Sequence, residues 1–192
     1  METLAIYSIA FLVGLSLNSG PVKDVPKNAN SGIVWPEGFD PAKSKFYVEN
    51  EIDIQASPET VWSILIDAEA WPVWYEGAKN VKASGGADRY LSPNSTISWE
   101  TMGLKFDSKV KEFEPSRKLA WLSEKKSIQG YHVWIIQATD NGCKVITAES
   151  QNGWLTFMEK TFQPKKLFRL HEIWLVELKK KAESASKLSE GL

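Results

Sequence analysis

The chain has 192 residues, of which 43% are apolar and 24% are charged, and its formal net charge is -1. This composition excludes a wholly disordered chain and fits one domain with a sizeable core, while the lack of surplus positive charge argues against nucleic acid as a partner. One cysteine and two histidines exclude a disulfide framework and a structural zinc site with the usual four nitrogen and sulfur ligands.

The chain begins with an uncharged apolar run, Leu4–Leu17, whose fourteen residues match the apolar part of a secretory signal better than a bilayer span of about 20 residues. We therefore expect residues 1–20 to form a signal peptide or an N-terminal membrane anchor, with the protein on the periplasmic or another extracytoplasmic side. The alternative is a cytoplasmic protein in which this segment packs on the domain. Residues 21–44 contain four prolines, which predicts a linker or a surface strap anchored by Trp35 and Phe39.

A compact domain is predicted for residues 45–186, with a polar tail at residues 187–192. It opens with a strand in which apolar and polar residues alternate up to Ile54. Ser57 and Pro58 then have the residue types of a helix start, Ser57 as N-cap and Pro58 at the first helical position. A second short helical segment and a series of strands follow. These strands are predicted at residues 79–84, 95–102, 105–113, 118–124, 131–138 and 144–150.

The last two strands are joined by a hairpin signal, Asn141-Gly142, which is typical of a two-residue turn. Counting outward from that turn pairs Trp134 with Glu149 and His132 with Gln151, and places all four on one face of the sheet. His132 and Glu149 are then diagonal neighbours, close enough for the carboxylate to orient the imidazole and to favour its charged form.

The final element is a long amphipathic helix, because apolar residues recur at intervals of three and four. Its apolar stripe contains Phe168, His171, Trp174, Leu175 and Leu178. Pro164 is expected in its first turn or at a kink. The order predicts an α+β fold, in which a curved antiparallel sheet of about six or seven strands wraps a long C-terminal helix, with two short helices after the first strand.

Several segments resemble the START-like helix-grip (SRPBCC) superfamily, specifically its polyketide cyclase/dehydrase and lipid-transport branch. The opening is residues 52–62, IDIQASPETVW, followed by WPVW at residues 71–74. Later segments that fit the same branch are residues 110–115, 119–121, 131–134, 145–150 and 178–183. The resemblance spans residues 45–183 and implies the helix-grip fold. It does not imply one reaction, because the superfamily contains carriers, sensors and enzymes.

A sheet that grips one helix leaves an apolar gap, and the nine tryptophans of the chain indicate an aromatic cavity there. Eight residues are expected to contact a ligand in it: Trp62, Trp74, Trp99, His132, Trp134, Glu149, His171 and Trp174. His132 and Glu149 are also the candidates for acid–base catalysis, unless they form a satisfied pair on the outer face or at the end of the sheet. His171 is alternatively a packed core side chain, and Glu100 is expected on the solvent face.

These residues predict that the protein binds, and through binding transports or senses, an apolar or aromatic small molecule or a lipid. One alternative is a cyclase/dehydratase-like enzyme in which His132 and Glu149 act on a polyketide-like carbonyl substrate. The other is a structural or assembly factor without a ligand. We expect no cofactor, no metal and no nucleic acid, and we expect any membrane contact to be made by the N-terminus.

Overall fold

The fold is described for residues 33–86 and 89–190 of a computed structural model. The predicted signal or anchor at residues 1–20 and the first part of the predicted strap lie outside the described residues. Within the described ranges, no helix is long and apolar enough to cross a membrane.

The core of the molecule is one seven-stranded sheet in which every neighbouring pair of strands is antiparallel. Its strands are β1 (Phe46–Ile54), β2 (Lys79–Ser84), β3 (Thr96–Thr101), β4 (Leu104–Glu114), β5 (Lys118–Glu124), β6 (Gln129–Thr139) and β7 (Gly142–Asn152). Their spatial order is β1-β7-β6-β5-β4-β3-β2, so the first strand pairs with the last and the others follow as a meander. The predicted α+β architecture is confirmed.

Among the described residues, four α-helices and one short 3-10 helix (Ala68–Ala70) accompany the sheet. The α-helices are α1 (Pro58–Ile66), α2 (Trp71–Trp74), α3 (Trp154–Phe162) and α4 (Lys166–Glu190). Helix α1 starts as its sequence predicts, because the Ser57 hydroxyl accepts a hydrogen bond from the amide of Thr60 at 3.2 Å and Pro58 is the first helical residue. Helix α4 packs on β1 and α1 and buries Trp174, Leu175 and Leu178.

Three features at the C-terminal end differ from the expectation. Pro164 lies between α3 and α4, neither in the first turn of α4 nor at a kink, because α4 begins only at Lys166. A proline also disfavours helical geometry in the residue before it, which explains the separation of the two helices. Helix α3 was not predicted, and α4 continues through the predicted polar tail as far as Glu190.

The β6–β7 hairpin has a different register from the one predicted. Its turn residues are Asp140 and Asn141, and Thr139 pairs with Gly142. Gly142 has a φ of +140°, and a Cβ atom there would lie 2.2 Å from the carbonyl oxygen of Ile54. A glycine is therefore needed at the start of β7, where this strand passes close to β1. The pairing of β6 with β7 differs by two residues from the predicted pairing.

This close approach makes Gly142→Ala a costly change. We expect Gly142→Ala to lower the free energy of unfolding by about 3 kcal/mol, because strain and a clash with backbone atoms add together. The matched control is Gly103→Ala, at a φ of +83° but with no atom within 4 Å of the added Cβ, which should cost only about 1–2 kcal/mol. Urea unfolding of both variants measures the difference, and equal losses would show that the Ile54 contact is unimportant.

The described part of the strap, residues 33–44, lies on the outer face of the sheet. Trp35 packs edge-to-face on Tyr47, with ring centroids 5.7 Å apart, and Phe39 packs on Tyr131 at the same distance. The Asn152 side chain donates a hydrogen bond to the carbonyl of Gly38 at 2.7 Å. The strap therefore covers the outer face of the sheet, and α4 packs on the opposite, inner face.

Candidate functional site

A cavity lies between the inner face of the sheet and helix α4; we call it the aromatic cavity. Its free space is about 570 Å³ when the open mouth is counted, but only about 40 Å³ is wide enough for the centre of a water-sized sphere. The lining residues come from the C-cap of α2, from the five strands β3 to β7 or their connections, and from α4. They are Tyr75, Trp99, Thr101, Met102, Leu104, Phe106, Trp121, Ser123, Ile128, Gly130, His132, Glu149, Gln151, Leu167, Leu170, His171 and Trp174.

Trp174 of α4 is the centre of the aromatic wall. Its indole stacks on the ring of Tyr75, with centroids 4.3 Å apart and 8° between the planes. It meets Trp71 edge-to-face at 5.2 Å and Trp121 at 6.2 Å. Trp71 is wholly buried and donates its indole N–H to the carbonyl of Leu65 at 3.0 Å, which fixes α2 beneath the cluster.

Five tryptophans were expected to line the cavity, and two of them do so. Trp99 and Trp174 line it. Trp62 instead packs edge-to-face on Phe113, with centroids 4.9 Å apart. Trp134 is fully buried behind His132, and Trp74 packs beside Tyr75 outside the wall. The structure therefore does not place these three side chains on the cavity, because a side chain can face the inner side of the sheet without reaching its open space.

Tyr75 and Trp121 line the cavity, although neither was predicted as a site residue. Trp121 lies directly opposite His132 in the β5–β6 pairing, and their rings are 4.6 Å apart. Residues directly opposite each other in neighbouring strands share a face, so the predicted face of His132 could have been used to place Trp121 on the cavity side of β5. Tyr75 follows a four-residue helix, so no periodicity indicates where its ring points.

The polar end of the cavity is formed by His132, Glu149 and His171, which we call the His–Glu–His cluster. The Glu149 Oε2 atom lies 3.4 Å from His132 Nδ1 and 3.4 Å from His171 Nε2. The two imidazole rings stack at 4.6 Å. Both histidines are almost completely buried, and the Glu149 side chain is 15% exposed. The structure thus brings together the three polar residues that were expected to contact a ligand.

The register of the hairpin decides how these residues meet. His132 is directly opposite Glu149, and not diagonal to it as predicted, because the pairing is shifted by two residues. The shift is even, so both residues stay on the predicted face. Thr147 fixes the far side of the His132 ring, with its Oγ1 2.7 Å from Nε2.

Glu149 is held from two further sides. The Gln151 side-chain amide donates a hydrogen bond to Glu149 Oε1 at 2.7 Å. A Cβ atom at Gly130 would lie only 2.7 Å from the same oxygen, so the glycine leaves room for the carboxylate. The carboxylate is therefore positioned by its surroundings and does not depend on the histidines alone.

The surroundings also set the charge of the cluster. Burial alone raises the pKa of Glu149, but hydrogen bonds from His171 and Gln151 and the attraction of both imidazoles outweigh it and leave that pKa below its ordinary value. Burial and repulsion from His171 lower the pKa of His132 to about 3, despite the attraction of Glu149. At neutral pH the cavity therefore ends on a carboxylate beside a neutral His132 imidazole. The expectation that Glu149 favours a charged imidazole was wrong, because burial outweighs the attraction of the carboxylate.

The same three residues meet one requirement of a metal site, since one donor atom from each lies within 4.8 Å of the others. However, the planes of the two imidazole rings differ by only 20°. Because the two rings stack face to face and nitrogen lone pairs lie in the ring plane, the lone pairs run side by side and do not converge on one ion, so one ring would have to turn before both histidines could bind a metal. The expected absence of a metal stays a prediction.

Two other reactive side chains lie away from the cavity. Glu100 faces outward and pairs with Lys105 at 3.4 Å, as expected for the solvent face. The Cys143 thiol is buried, and burial together with the nearby carboxylates of Glu59 and Asp53 raises its pKa to about 11. A thiol of this kind is a poor nucleophile near neutral pH.

Known proteins resemble the chain in sequence pattern and in fold. The family model described as "Polyketide cyclase / dehydrase and lipid transport" matches residues 45–183. No curated protein matches the sequence. A hypothetical protein from Helicobacter pylori is 27% identical with a TM-score of 0.73, and the match covers 81% of this chain and 96% of that one.

Two more distant structures show the fold alone. The di-domain ARO/CYC StfQ from the steffimycin biosynthetic pathway is 12% identical with a TM-score of 0.60, and the match covers 73% of this chain and 51% of that one. A START superfamily protein from Mycobacterium smegmatis is 16% identical with a TM-score of 0.55, covering 70% of this chain and 97% of that one. Together with the family match, they confirm the predicted START-like fold.

Proposed function

The chain belongs to the polyketide cyclase/dehydrase and lipid transport family, and on that premise we propose that its aromatic cavity binds a small aromatic molecule that carries a hydrogen-bond donor, such as a phenolic hydroxyl. The observation that carries the proposal is a cavity with aromatic walls that ends on the Glu149 carboxylate. Such a combination suits an apolar ring with one polar substituent.

The polar end favours a donor over an acceptor. Glu149 is ionised, because its pKa lies below the ordinary value. Gln151 Oε1, also on a lining residue, is buried and has no hydrogen-bond partner among the described residues. A ligand hydroxyl can donate to either oxygen, whereas a ligand carboxylate would meet a like charge.

The size of the cavity favours a compact ligand. Only about 40 Å³ of the cavity admits the centre of a water-sized sphere, so a bulky ligand requires the walls to separate. Met102, Leu104 and Leu170 line the cavity with flexible side chains that can change rotamer. A flat ring can enter with less rearrangement than a long acyl chain, and so we favour an aromatic ligand over a lipid.

Three naphthalene derivatives test this selectivity in the full-length chain, with tryptophan emission as the readout. We expect 2-naphthol to bind most tightly, naphthalene about tenfold more weakly because it lacks the charge-assisted hydrogen bond, and 2-naphthoate most weakly of all. Glu149→Gln should reduce the difference between 2-naphthol and 2-naphthoate. The matched control is Glu100→Gln, which removes an outward-facing carboxylate and should leave the difference unchanged.

Two results would contradict the proposal. One is an unchanged tryptophan emission at every concentration at which 2-naphthol is soluble, which would favour an assembly factor without a ligand. The other is equal binding of 2-naphthol and 2-naphthoate, which would show that Glu149 does not select the ligand.

A second candidate is an enzyme of the cyclase or dehydratase type, favoured by the carboxylate that lies between two imidazoles. In that role Glu149 or the neutral His132 would take a proton from a bound carbonyl compound. His132→Gln separates the two candidates, since an enzyme would keep its affinity and lose turnover, whereas a carrier would change only in affinity. The proposed N-terminal signal or anchor is compatible with either function.

A further inference from the structure

Helix α3 presents an apolar face to solvent. Four large side chains share this face, since their spacing of three, four and eight residues places them on one side of a helix. They are Trp154, Phe157, Met158 and Phe162, and they are 62%, 61%, 40% and 69% exposed, respectively. The opposite side of the helix packs on the domain through Thr156, which is buried and donates a hydrogen bond to the carbonyl of Asn152.

This patch differs from the other exposed apolar residues of the described chain. Those are Val34, Val73, Tyr90, Val176 and Leu188, which belong to five separate parts of the sequence. Single exposed apolar residues are normal on soluble proteins, but a contiguous patch of three aromatic rings and a methionine usually marks an interaction site.

Basic residues surround the patch. Residues 154–169 contain four basic residues and one acidic residue, a net charge of +3, whereas the whole chain carries -1. Lys165, Lys166 and Arg169 have no ion-pair partner among the side chains that the structure describes. Exposed aromatic rings with cations beside them complement a surface that has both an apolar interior and negative headgroups.

We propose that the α3 face, defined as Trp154, Phe157, Met158 and Phe162 with the flanking cations, docks the protein on an anionic lipid bilayer. The four apolar side chains enter the headgroup region, and Lys165, Lys166 and Arg169 contact lipid phosphates. Helix α3 connects Gln151 to Leu167, two residues that line the aromatic cavity, so docking brings the end of the cavity close to the bilayer. The proposal does not depend on which ligand the cavity binds.

The single cysteine of the chain makes a site-specific test possible. Cys143 is 1% exposed, and the pKa of its thiol is raised to about 11. A thiol-reactive fluorophore will therefore react with an introduced surface cysteine much faster than with Cys143. We would label Phe157→Cys in the full-length protein with the environment-sensitive fluorophore NBD. The matched control is Val73→Cys, because Val73 is 85% exposed and far from α3 in sequence.

Vesicles of phosphatidylcholine with about 30% phosphatidylglycerol should shift the emission of NBD at position 157 to shorter wavelength, and should leave NBD at position 73 unchanged. Pure phosphatidylcholine vesicles should give a much smaller shift. The charge reversal Lys165→Glu/Lys166→Glu should weaken vesicle partitioning by about tenfold or more, whereas Lys109→Glu/Lys111→Glu on exposed positions of β4 should have little effect.

Three outcomes would overturn the proposal. A shift at position 73 as large as that at position 157 would mean that the bilayer is contacted elsewhere, for example through the N-terminal apolar run. A shift at position 157 that grows with protein concentration without vesicles would show that the face pairs with a second copy of the chain. An unchanged NBD emission wavelength at position 157 with both kinds of vesicle would show that the α3 face does not bind lipid, and would favour a protein partner.

Discussion

Replacing Trp174 with alanine is expected to lower the free energy of unfolding by about 4–5 kcal/mol, the upper end of the range for large-to-small core substitutions. Trp174 is 2% exposed, and its indole contacts the rings of Tyr75, Trp71 and Trp134 at centroid distances of 4.3, 5.2 and 5.1 Å. Its removal leaves a void between α4 and the sheet that these rigid rings cannot fill.

Urea unfolding near neutral pH measures this loss. Trp154→Ala is the matched control, because it makes the same chemical change at a position that is 62% exposed and should cost less than about 0.5 kcal/mol. If Trp174→Ala does not fold, Trp174→Phe, which keeps part of the contact area, should still show a loss of about 1–2 kcal/mol. Similar losses for Trp174→Ala and Trp154→Ala would contradict the packing described for α4.

The stability of the protein is expected to fall as the pH is lowered from about 6.5 towards 3, with His132 as the largest single cause. The folded state lowers the pKa of His132 from 6.5 to about 3, so the unfolded chain binds a proton that the folded chain excludes. The stabilisation is complete above the unfolded pKa and is lost as the pH falls towards the folded one. By about pH 4 the loss from this residue is roughly 3 kcal/mol.

Glu149 adds to the same trend, because its pKa is also below the ordinary value in the folded state. Denaturant unfolding at a series of pH values measures the slope, and His132→Gln should flatten it. Glu183→Gln is the control, since this carboxylate has a lowered pKa but lies at the surface, where solvent screens its interactions. An unchanged slope in His132→Gln would mean that the His132 imidazole is not held neutral by burial.

The faces of β6 and β7 could be predicted from the sequence, whereas their register could not. Alternation along a strand sets which residues share a face, and an error of two residues leaves that assignment intact. His132 and Glu149 were therefore placed together. The register depends on Gly142, whose role is to avoid the carbonyl of Ile54 in a different strand. A contact between strands distant in sequence leaves no signal in the local turn pattern.

The cavity wall was only partly predictable for a related reason. Periodicity separates the inner from the outer face, but not the open part of the inner face from the packed part. Trp134 and Trp121 both face inward, yet Trp134 is covered by its neighbours and Trp121 reaches the cavity. The difference depends on where α4 and the α2 segment lie across the sheet, which is a property of the assembled fold.

Helix α3 was not predicted, although its large apolar residues recur at the spacing of an amphipathic helix, and that signal could have found it. The same spacing could not show that the apolar stripe of residues 154–162 faces solvent while Thr156 is buried. A local pattern that contradicts burial marks a segment with a role other than packing.

The central claim, that the aromatic cavity binds a small aromatic hydroxyl compound, is tested most directly by the indole N–H signals of the nine tryptophans in a ¹⁵N-labelled sample titrated with 2-naphthol. We expect the signals of Trp99, Trp121 and Trp174, which line the cavity, to shift together and saturate. The signals of Trp35 on the outer face and Trp154 on α3 should remain in place. Unchanged signals for the three lining tryptophans, or shifts confined to Trp35 and Trp154, would contradict the claim.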